Sequence, residues 1–305
     1  MSNDSINNTK IVGILVSYNP NIKHLLLVLN SISPQIKELI IVDNGSKNHD
    51  EIKENCHYIS NIIYFHSDTN IGLASAQNIG IKNAINKKAS HIILFDQDSV
   101  ITENFIQNLL DGEKNLLSLG KKVAAVGPSF HDPETQKPYP ATIYFGPFIK
   151  RVPMSGMAVE ATFIISSGSL INTNVLKEIG NMKDELFIDY IDVEWSLRAK
   201  SKGYSVFIIP KAKMTHTIGD KRISIFGRTI SVHSPLRRYY LIRNSFLISR
   251  LSYIPLGYKM RELIFNPIRI FISLFTNKPI KSTLKYSFLA IIDGLKGKSG
   301  PFKQL

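Results

Sequence analysis

His91-Ile92-Ile93-Leu94-Phe95-Asp96-Gln97-Asp98, residues 91–98, sets an apolar run directly against an acidic triplet. Four consecutive apolar residues without polar alternation describe a strand buried on both faces. The same figure recurs upstream. Residues 11–16 are apolar save Gly13 and end at Ser17-Tyr18-Asn19-Pro20; residues 39–42 end at Asp43-Asn44-Gly45; residues 62–65 form another such run. A further run covers 123–126. Helical patterns separate them. Ile22, Leu25, Leu26 and Leu29 are helically spaced in 22–32, residues 73–86 read as a helix, and 102–119 read as a third with Thr102 as its N-cap. Apolar strands joined by helices predict an α/β fold with a mostly parallel sheet covered on both faces. Such sheets bind ligands beyond the carboxyl ends of their strands. Asn19, Asp43, Asn44, Asp96 and Asp98 all fall there.

Beyond residue 128 the alternation breaks. Residues 129–156 hold five prolines and read as turns. A strand is expected over 158–165, a helix over 190–202, and a strand over 206–209 that Pro210 ends. Residues 217–236, with Lys221, Arg222 and Arg228, read as a mobile loop able to close over a substrate.

The chain has 305 residues, enough for one large domain or two small ones and for a core without disulfides. Its composition excludes collagen-like, disulfide-scaffold and mostly disordered classes. The single cysteine, Cys56, fits a reducing compartment. Residues 1–10 lack the apolar stretch of a secretory signal, and no run of about 18 apolar residues predicts a membrane span. A cytoplasmic protein is therefore expected.

The net charge of +13 is unevenly spread: residues 237–305 hold 13 Lys+Arg against Glu262 and Asp293, which is +11 and leaves +2 for residues 1–236. The basic segment is also aromatic, with Tyr239, Tyr240, Phe246, Tyr253, Phe265 and Phe271 among its residues. That mixture suits an anionic membrane surface, where apolar groups sink in and Lys/Arg meet phosphates. Helices packed on the main body with a solvated basic face are the plainer alternative. Nucleic acid is the rival partner; the confinement of the charge to an apolar tail outside the α/β body argues against it.

Asp96 and Asp98, one residue apart at a strand end, suit a hard divalent cation that keeps several waters and takes phosphate oxygens. Read alone, the triplet also describes a solvated loop. Likewise Asp43-Asn44-Gly45 read alone is a turn. Glu194 and Arg198 have the helix ion-pair spacing.

Read together, these segments resemble the family 2 glycosyltransferases of the GT-A fold, and within them the rhamnosyltransferase branch. The resemblance covers about residues 10–250. It is carried by Val16-Ser17-Tyr18-Asn19-Pro20, Val42-Asp43-Asn44-Gly45-Ser46, Asn70-Ile71-Gly72-Leu73-Ala74-Ser75-Ala76-Gln77-Asn78-Ile79-Gly80 and Phe95-Asp96-Gln97-Asp98-Ser99. Phe187-Ile188-Asp189-Tyr190-Ile191-Asp192-Val193-Glu194-Trp195, then Tyr239-Tyr240 with Arg243-Asn244, complete it.

The resemblance implies a GT-A nucleotide-sugar-binding domain over 1–236, with a nucleotide half at about 10–127 and an acceptor half at about 128–236. A basic, aromatic helical region over 237–305 follows. It implies inverting, metal-dependent transfer of L-rhamnose from dTDP-L-rhamnose to a hydroxyl of a lipid-linked saccharide. Bacterial surface polysaccharide synthesis, such as O-antigen, is the setting, at the inner face of the cell membrane. Another sugar, galactose or N-acetylglucosamine, is the nearest alternative.

By the same resemblance Asp43 recognises the base, and Tyr18 and Asn19 lie near base and ribose. Asn70, Gly72 and Asn78 line the donor, Asp96 contacts ribose or a metal-bound water, and Asp98 is the direct ligand of Mg2+ or Mn2+. His216 is expected near the metal or diphosphate. Arg243 and Arg238 are expected on a diphosphate, of the donor or of a lipid-linked acceptor. Ser167 and Trp195 are placed beside the acceptor, although Trp195 has packing as an equal reading. Asp192 is the expected base. Many relatives carry an acid just before it where this chain has Ile191, so Asp189 is kept as a second choice.

Overall fold

A computed structural model describes residues 9–132, 135, 137–215, 221–225, 228–232, 234–276 and 279–303. The first half is β1 (Ile11–Ser17), α1 (Ile22–Ile32), β2 (Glu38–Asp43), α2 (His49–His57), β3 (Ile62–His66), α3 (Leu73–Asn86), β4 (His91–Asp96), β5 (Val100–Ile101), α4 (Phe105–Ser118) and β6 (Val123–His131). The strands β3, β2, β1 and β4 lie side by side in that order and all run parallel.

The continuous apolar runs have a plain cause. Val12, Ile14 and Val16 of β1 point into one core, under α3; Ile11 and Leu15 point into the other, under α1. With water excluded from both faces, no position of the strand has a reason to be polar. Each buried Leu or Ile contributes about 1.5–3 kcal/mol. Helix α1 buries Leu25, Val28, Leu29 and Ile32, one stripe at helical spacing. Helix α3 approaches β1 so closely that a Cβ on Gly80 would stand 2.3 Å from Ile14 Cγ2.

The second half is β7 (Ala141–Phe145), β8 (Phe148–Val152), β9 (Val159–Ala161), β10 (Leu170–Asn172), α5 (Thr173–Ile179), α6 (Ile191–Ser201), β11 (Ser205–Thr215), β12 (Lys221–Ile225), β13 (Arg228–Val232), α7 (Pro235–Ser249), α8 (Leu256–Thr276) and α9 (Ile280–Lys296). Strand β10 enters the sheet antiparallel between β4 and β6, and β11 pairs parallel with β6. Short antiparallel strands β5 and β9 attach to β11. The sheet is thus mixed, with its parallel majority as expected.

Several local expectations are corrected. Residues 129–156 are more than turns: β6 extends to His131, and β7 and β8 form a hairpin. Strand β9 is shorter than 158–165. Pro210 does not end its strand, because β11 shifts register between Ile209 and Lys213, where a missing N–H is tolerated. Helix α4 begins after Asn104, not Thr102; the Thr102 hydroxyl instead donates to the Lys213 carbonyl at 3.2 Å. Within 217–236, β12 and β13 pair antiparallel in place of an irregular loop.

Helix α7 packs on both α8 and α9. The boundary expected at 236/237 falls within its first turn, and its buried face reaches the segment that carries Asp189. The C-terminal helices are therefore built into the site.

Candidate active site

Strand register creates the crevice. Ser17 lies beside Asp43, and Val16 beside Asp96, so the ends of β2, β1 and β4 open on one side. The Asp96-Gln97-Asp98 turn is fixed from two directions. Gln97 Oε1 accepts from the Tyr18 N–H at 2.7 Å, tying the turn to the end of β1. Ser167 Oγ accepts from the Asp96 N–H at 3.0 Å and donates to Ser99 Oγ at 2.8 Å. Asp96 and Asp98 are both half-buried at the rim. Tyr18 stands beside them with nearly half its surface exposed, at 47%.

Across the crevice, Asp192 occupies the first turn of α6. Its Oδ1 accepts from the Val193 N–H at 2.8 Å. Burial raises its pKa to about 6, and the negative charges of Asp189 and Asp96 push the same way against that backbone bond. Those couplings place Asp96, Asp189 and Asp192 in one electrostatic neighbourhood. Asp189 pairs with Arg237 at 3.4 Å.

The segment that presents them is strained. Phe187, Asp189 and Tyr190 all have φ of 64°, a left-handed backbone that non-glycine residues seldom adopt. Neighbours hold it there. Asn244 Nδ2 is directed at the carbonyls of Leu186, Ile188 and Asp189, at 2.9, 2.8 and 3.2 Å. The Phe187 ring stacks on Tyr240 at 4.9 Å. Gly72, with φ of 91°, gives way beneath it: a Cβ there would lie 2.6 Å from Phe187 Cδ2. Tyr190 donates its hydroxyl to Glu262 of α8, which also takes Arg261 and Arg269.

Several residues expected at the donor or acceptor are placed elsewhere. Asp43 is fully buried. Its carboxylate accepts from the Ser17 hydroxyl at 3.3 Å, the Ser46 N–H at 3.3 Å and the Ser46 hydroxyl, and stands 2.7 Å from His66 Nδ1. It braces the loop after β2 instead of facing a base. Asn19 Oδ1 accepts from the Lys47 N–H at 2.8 Å, joining the loops after β1 and β2. Asn70 Oδ1 accepts from the Gly72 N–H at 2.9 Å and from Asn44 Nδ2 at 3.2 Å, shaping the entry to α3. Gly72 accommodates Phe187, as above.

Asn78 donates to the Met182 carbonyl at 2.9 Å and to Asp184 at 2.6 Å, and accepts from the Met182 N–H at 3.1 Å. It is a clamp between α3 and the segment before α6. Arg243 is 1% exposed; its guanidinium donates to Asn244 Oδ1 and to the carbonyls of Leu186 and Gly300. No face of it is left for a diphosphate. Ser167 lies fully buried beneath the acidic turn, bonded to the Asp96 N–H and Ser99. Trp195 is 3% exposed and donates Nε1–H to the Gly180 carbonyl at 2.9 Å, packed in the interior. His216 lies outside the described residues.

Sequence reasoning missed the buttresses: Gln97, Ser46, His66, Asn244 and Glu262. Gln97 and Asn244 stood inside quoted segments as polar residues without an assigned task, which is the signal that was available. Glu194 and Arg198 do pair, at 2.9 Å.

The profile of the family described as Glycosyl transferase family 2 matches residues 14–180. A curated relative, the dTDP-rhamnosyl transferase RfbF of Shigella flexneri, is 36% identical over 299 residues, covering 96% of this chain and 98% of the relative. Among solved structures, GalNAc-T7 with UDP, GalNAc and Mn2+ superposes with a TM-score of 0.58 at 15% identity; the match covers 89% of this chain and 58% of that one. S. aureus TarS 1–349 in complex with UDP-GlcNAc gives 0.55 at 17% identity, covering 95% and 81%. At such identities these two likenesses speak for the fold, which is GT-A-like with a mixed sheet, flanking helices and a C-terminal helical region.

Proposed function

The chain belongs to glycosyl transferase family 2, and from that premise we propose that it transfers L-rhamnose from dTDP-L-rhamnose, with inversion, to a hydroxyl of a lipid-linked saccharide. That it is a glycosyltransferase using a nucleotide-sugar follows from the family. The rhamnosyl donor is supported by one observation above the rest, the full-length likeness to a dTDP-rhamnosyl transferase.

The geometry supplies a route. An inverting transfer needs a base within reach of the acceptor hydroxyl. Asp192, with a pKa near 6, is mostly ionised at neutral pH and more basic than an isolated aspartate. It takes the proton as the acceptor oxygen attacks the anomeric carbon and the nucleoside diphosphate leaves from the opposite face. The negative charge of Asp189, which pairs with Arg237, adds to that basicity. The Tyr18 ring is exposed where a base can lie on it.

The acidic turn fits a divalent ion. Asp96 and Asp98 provide two carboxylates at a strand end, a donor set suited to Mg2+ or Mn2+ that keeps waters and takes phosphate oxygens. Among the described residues no group of three or more His, Cys, Asp or Glu makes a closed cage. When bound, such an ion supplies Lewis-acid stabilisation to the departing diphosphate.

A panel of sugar nucleotides tests the donor. Turnover of dTDP-L-rhamnose is expected to exceed that of UDP-galactose and UDP-N-acetylglucosamine by at least about tenfold, since donor-specific contacts of 1–3 kcal/mol discriminate by that much. Equal or reversed preference would overturn the rhamnosyl reading.

A membrane setting at the cytoplasmic face belongs to the same reading. Among the described residues no helix is long and apolar enough to cross a bilayer. Yet Leu256, Met260, Ile264, Ile268, Phe271 and Phe275 form one exposed stripe along α8, at spacings of three and four. The tip of the β7–β8 hairpin continues it, with Phe145 82% and Phe148 72% exposed. The two pieces touch, for a Cβ on Gly257 would lie 2.6 Å from the Gly146 backbone, and Tyr144 packs on Tyr258 at 5.0 Å. An apolar surface amid basic charge matches an anionic lipid interface. Replacing Phe145 and Phe148 together by aspartate should reduce sedimentation with phosphatidylglycerol vesicles at least about tenfold, because burial of two aromatic side chains is lost. Unchanged sedimentation would assign this surface to another use.

A further inference from the structure

A helix laid on a protein body ordinarily buries an apolar stripe. Helix α8 buries Tyr258, Glu262, Asn266 and Ser273 instead. Glu262 is 2% exposed, and a carboxylate taken out of water is costly unless it is paired. Two of its partners come from α8 itself. Arg261 pairs with one oxygen at 2.9 Å; Arg269, which also donates to Asn266 Oδ1 at 2.9 Å, pairs with the other. Those two guanidiniums balance the charge within the helix. Among the described residues the remaining partner comes from another element: the Tyr190 hydroxyl, 72 residues back along the chain.

Tyr190 is the N-cap of α6, a place that favours Ser, Thr, Asp or Asn. It makes no side-chain capping bond, and its φ of 64° is left-handed. Such a conformation persists only where the surroundings hold it. The Asn244 amide reaches the carbonyls of Leu186, Ile188 and Asp189 and stops one residue short of Tyr190. The phenol makes up the difference by reaching α8. Burial, against the pull of Arg269 and with the charge of Glu262 added, holds that phenol well above its ordinary range, so it is the donor. The Tyr190 carbonyl in turn accepts from the Glu194 N–H at 2.8 Å, so the first turn of α6 is built on this residue. Asp192 lies in that turn. The body of α6 has a separate tie, since Tyr253 donates its hydroxyl to Glu194.

We propose that Glu262 is a positioning residue for the transfer: through the Tyr190 hydroxyl it fixes the first turn of α6 and hence the aim of Asp192. This rests on the reading of Asp192 as the base and deepens it, by giving the C-terminal helices a part in turnover. The action is geometric. The charge of Glu262 is balanced by its two arginines, and the carboxylates that raise the Asp192 pKa are Asp189 and Asp96. A reacting group displaced by about 1 Å costs on the order of 10²-fold in rate, so a single lost tether is enough to be measured.

Two variants of the full chain separate aim from stability. Tyr190→Phe removes one oxygen and keeps the ring, while Glu262 retains both arginines. Its kcat should fall about tenfold or more with KM for both substrates within about twofold of the wild type, the mark of a contribution made in the transition state. Its melting temperature should stay level. Glu262→Gln keeps an oxygen for the Tyr190 hydroxyl and takes the counter-charge from two buried arginines. It should melt several degrees lower yet keep kcat within about threefold. Turnover and stability are thus expected in opposite order, which a merely structural role does not produce. Wild-type kcat in Tyr190→Phe overturns the proposal, and so does a Glu262→Gln variant that loses as much turnover as Tyr190→Phe. A melting temperature that falls with kcat in Tyr190→Phe makes the bond structural and overturns it as well.

Amide hydrogen exchange reads the same tether without any sugar. Exchange at Val193 and Glu194, in the first turn of α6, should quicken in Tyr190→Phe and stay as in the wild type in Glu262→Gln. A wild type inert toward every sugar nucleotide that still shows this pattern sinks the transfer reading and leaves the tether standing. Unchanged exchange at both amides in Tyr190→Phe sinks the tether and leaves the transfer reading standing.

Discussion

Asp192→Asn is expected to lower turnover by roughly 10²- to 10⁴-fold, the range a positioned general base contributes, with little change in affinity for the sugar nucleotide. The wild-type rate should rise with pH through an acidic limb near 6, where the carboxylate ionises, and the variant should lose that limb. Stability carries the opposite sign. The folded-state pKa lies above the unfolded value of 3.8, so the folded protein holds the proton more tightly between about pH 4 and pH 6. Stability from this group is therefore present at low pH and is lost as pH rises to about 6. Above that, the ionised form weighs on the fold by up to about 3 kcal/mol. Asparagine cannot ionise, so the variant should melt higher than the wild type at pH 7.5 and closer to it at pH 4. A slow but more stable enzyme is the signature of a residue held for chemistry. A variant that melts lower at neutral pH, or turns over at near wild-type rate, would move the base to Asp189 or elsewhere.

The contrast between Asp192 and the displaced candidates shows what the sequence carries. Strands β1 to β4 with α1 and α3 were legible because burial on both faces writes itself as unbroken apolar runs and helical stripes. The ends of those runs then located the crevice. Helix α2 was not legible: only Ile52 and Cys56 of its nine residues are buried, too few to form a pattern. Strand β10 has three residues and takes its place between β4 and β6 from the sheet around it.

The site residues divide in a similar way. A resemblance carries a position along the chain, but a side chain's direction depends on what lies opposite. Asn78 turns toward Met182, 104 residues away, and Arg243 toward Leu186, 57 residues away. Those partners are backbone carbonyls, which have no residue-type signature. The side chains that hold the strained 187–190 segment were therefore hidden in the sequence, although the aspartates it presents were not. Trp195 and Ser167 followed the same rule, since both satisfy main-chain groups in the interior.

Asp98→Ala is the second large effect, and its consequence should be separable from folding. Asp98 sits in a turn at the rim, half-buried, with Ser99 and Ser167 providing the buried bonds beneath it. Gln97 anchors the turn through the backbone of Tyr18 on the far side. Truncating Asp98 leaves those supports in place, so the melting temperature should move by no more than about 1 kcal/mol of stability corresponds to. Transfer supported by Mn2+ should nevertheless fall by at least about 10²-fold, the size of a lost electrostatic contribution at a departing oxyanion. Binding gives an independent reading. Mn2+ with dTDP should raise the melting temperature of the wild type in proportion to its affinity, and should raise that of the variant much less. Alanine at Asp96 removes the other carboxylate and, through its charge on Asp192, should also shift the acidic limb of the rate profile downward. That shift is a property of Asp96 which Asp98→Ala is not expected to reproduce. Full activity of the wild type in EDTA, with Asp98→Ala unimpaired, would show that the acidic turn serves the loop and not an ion.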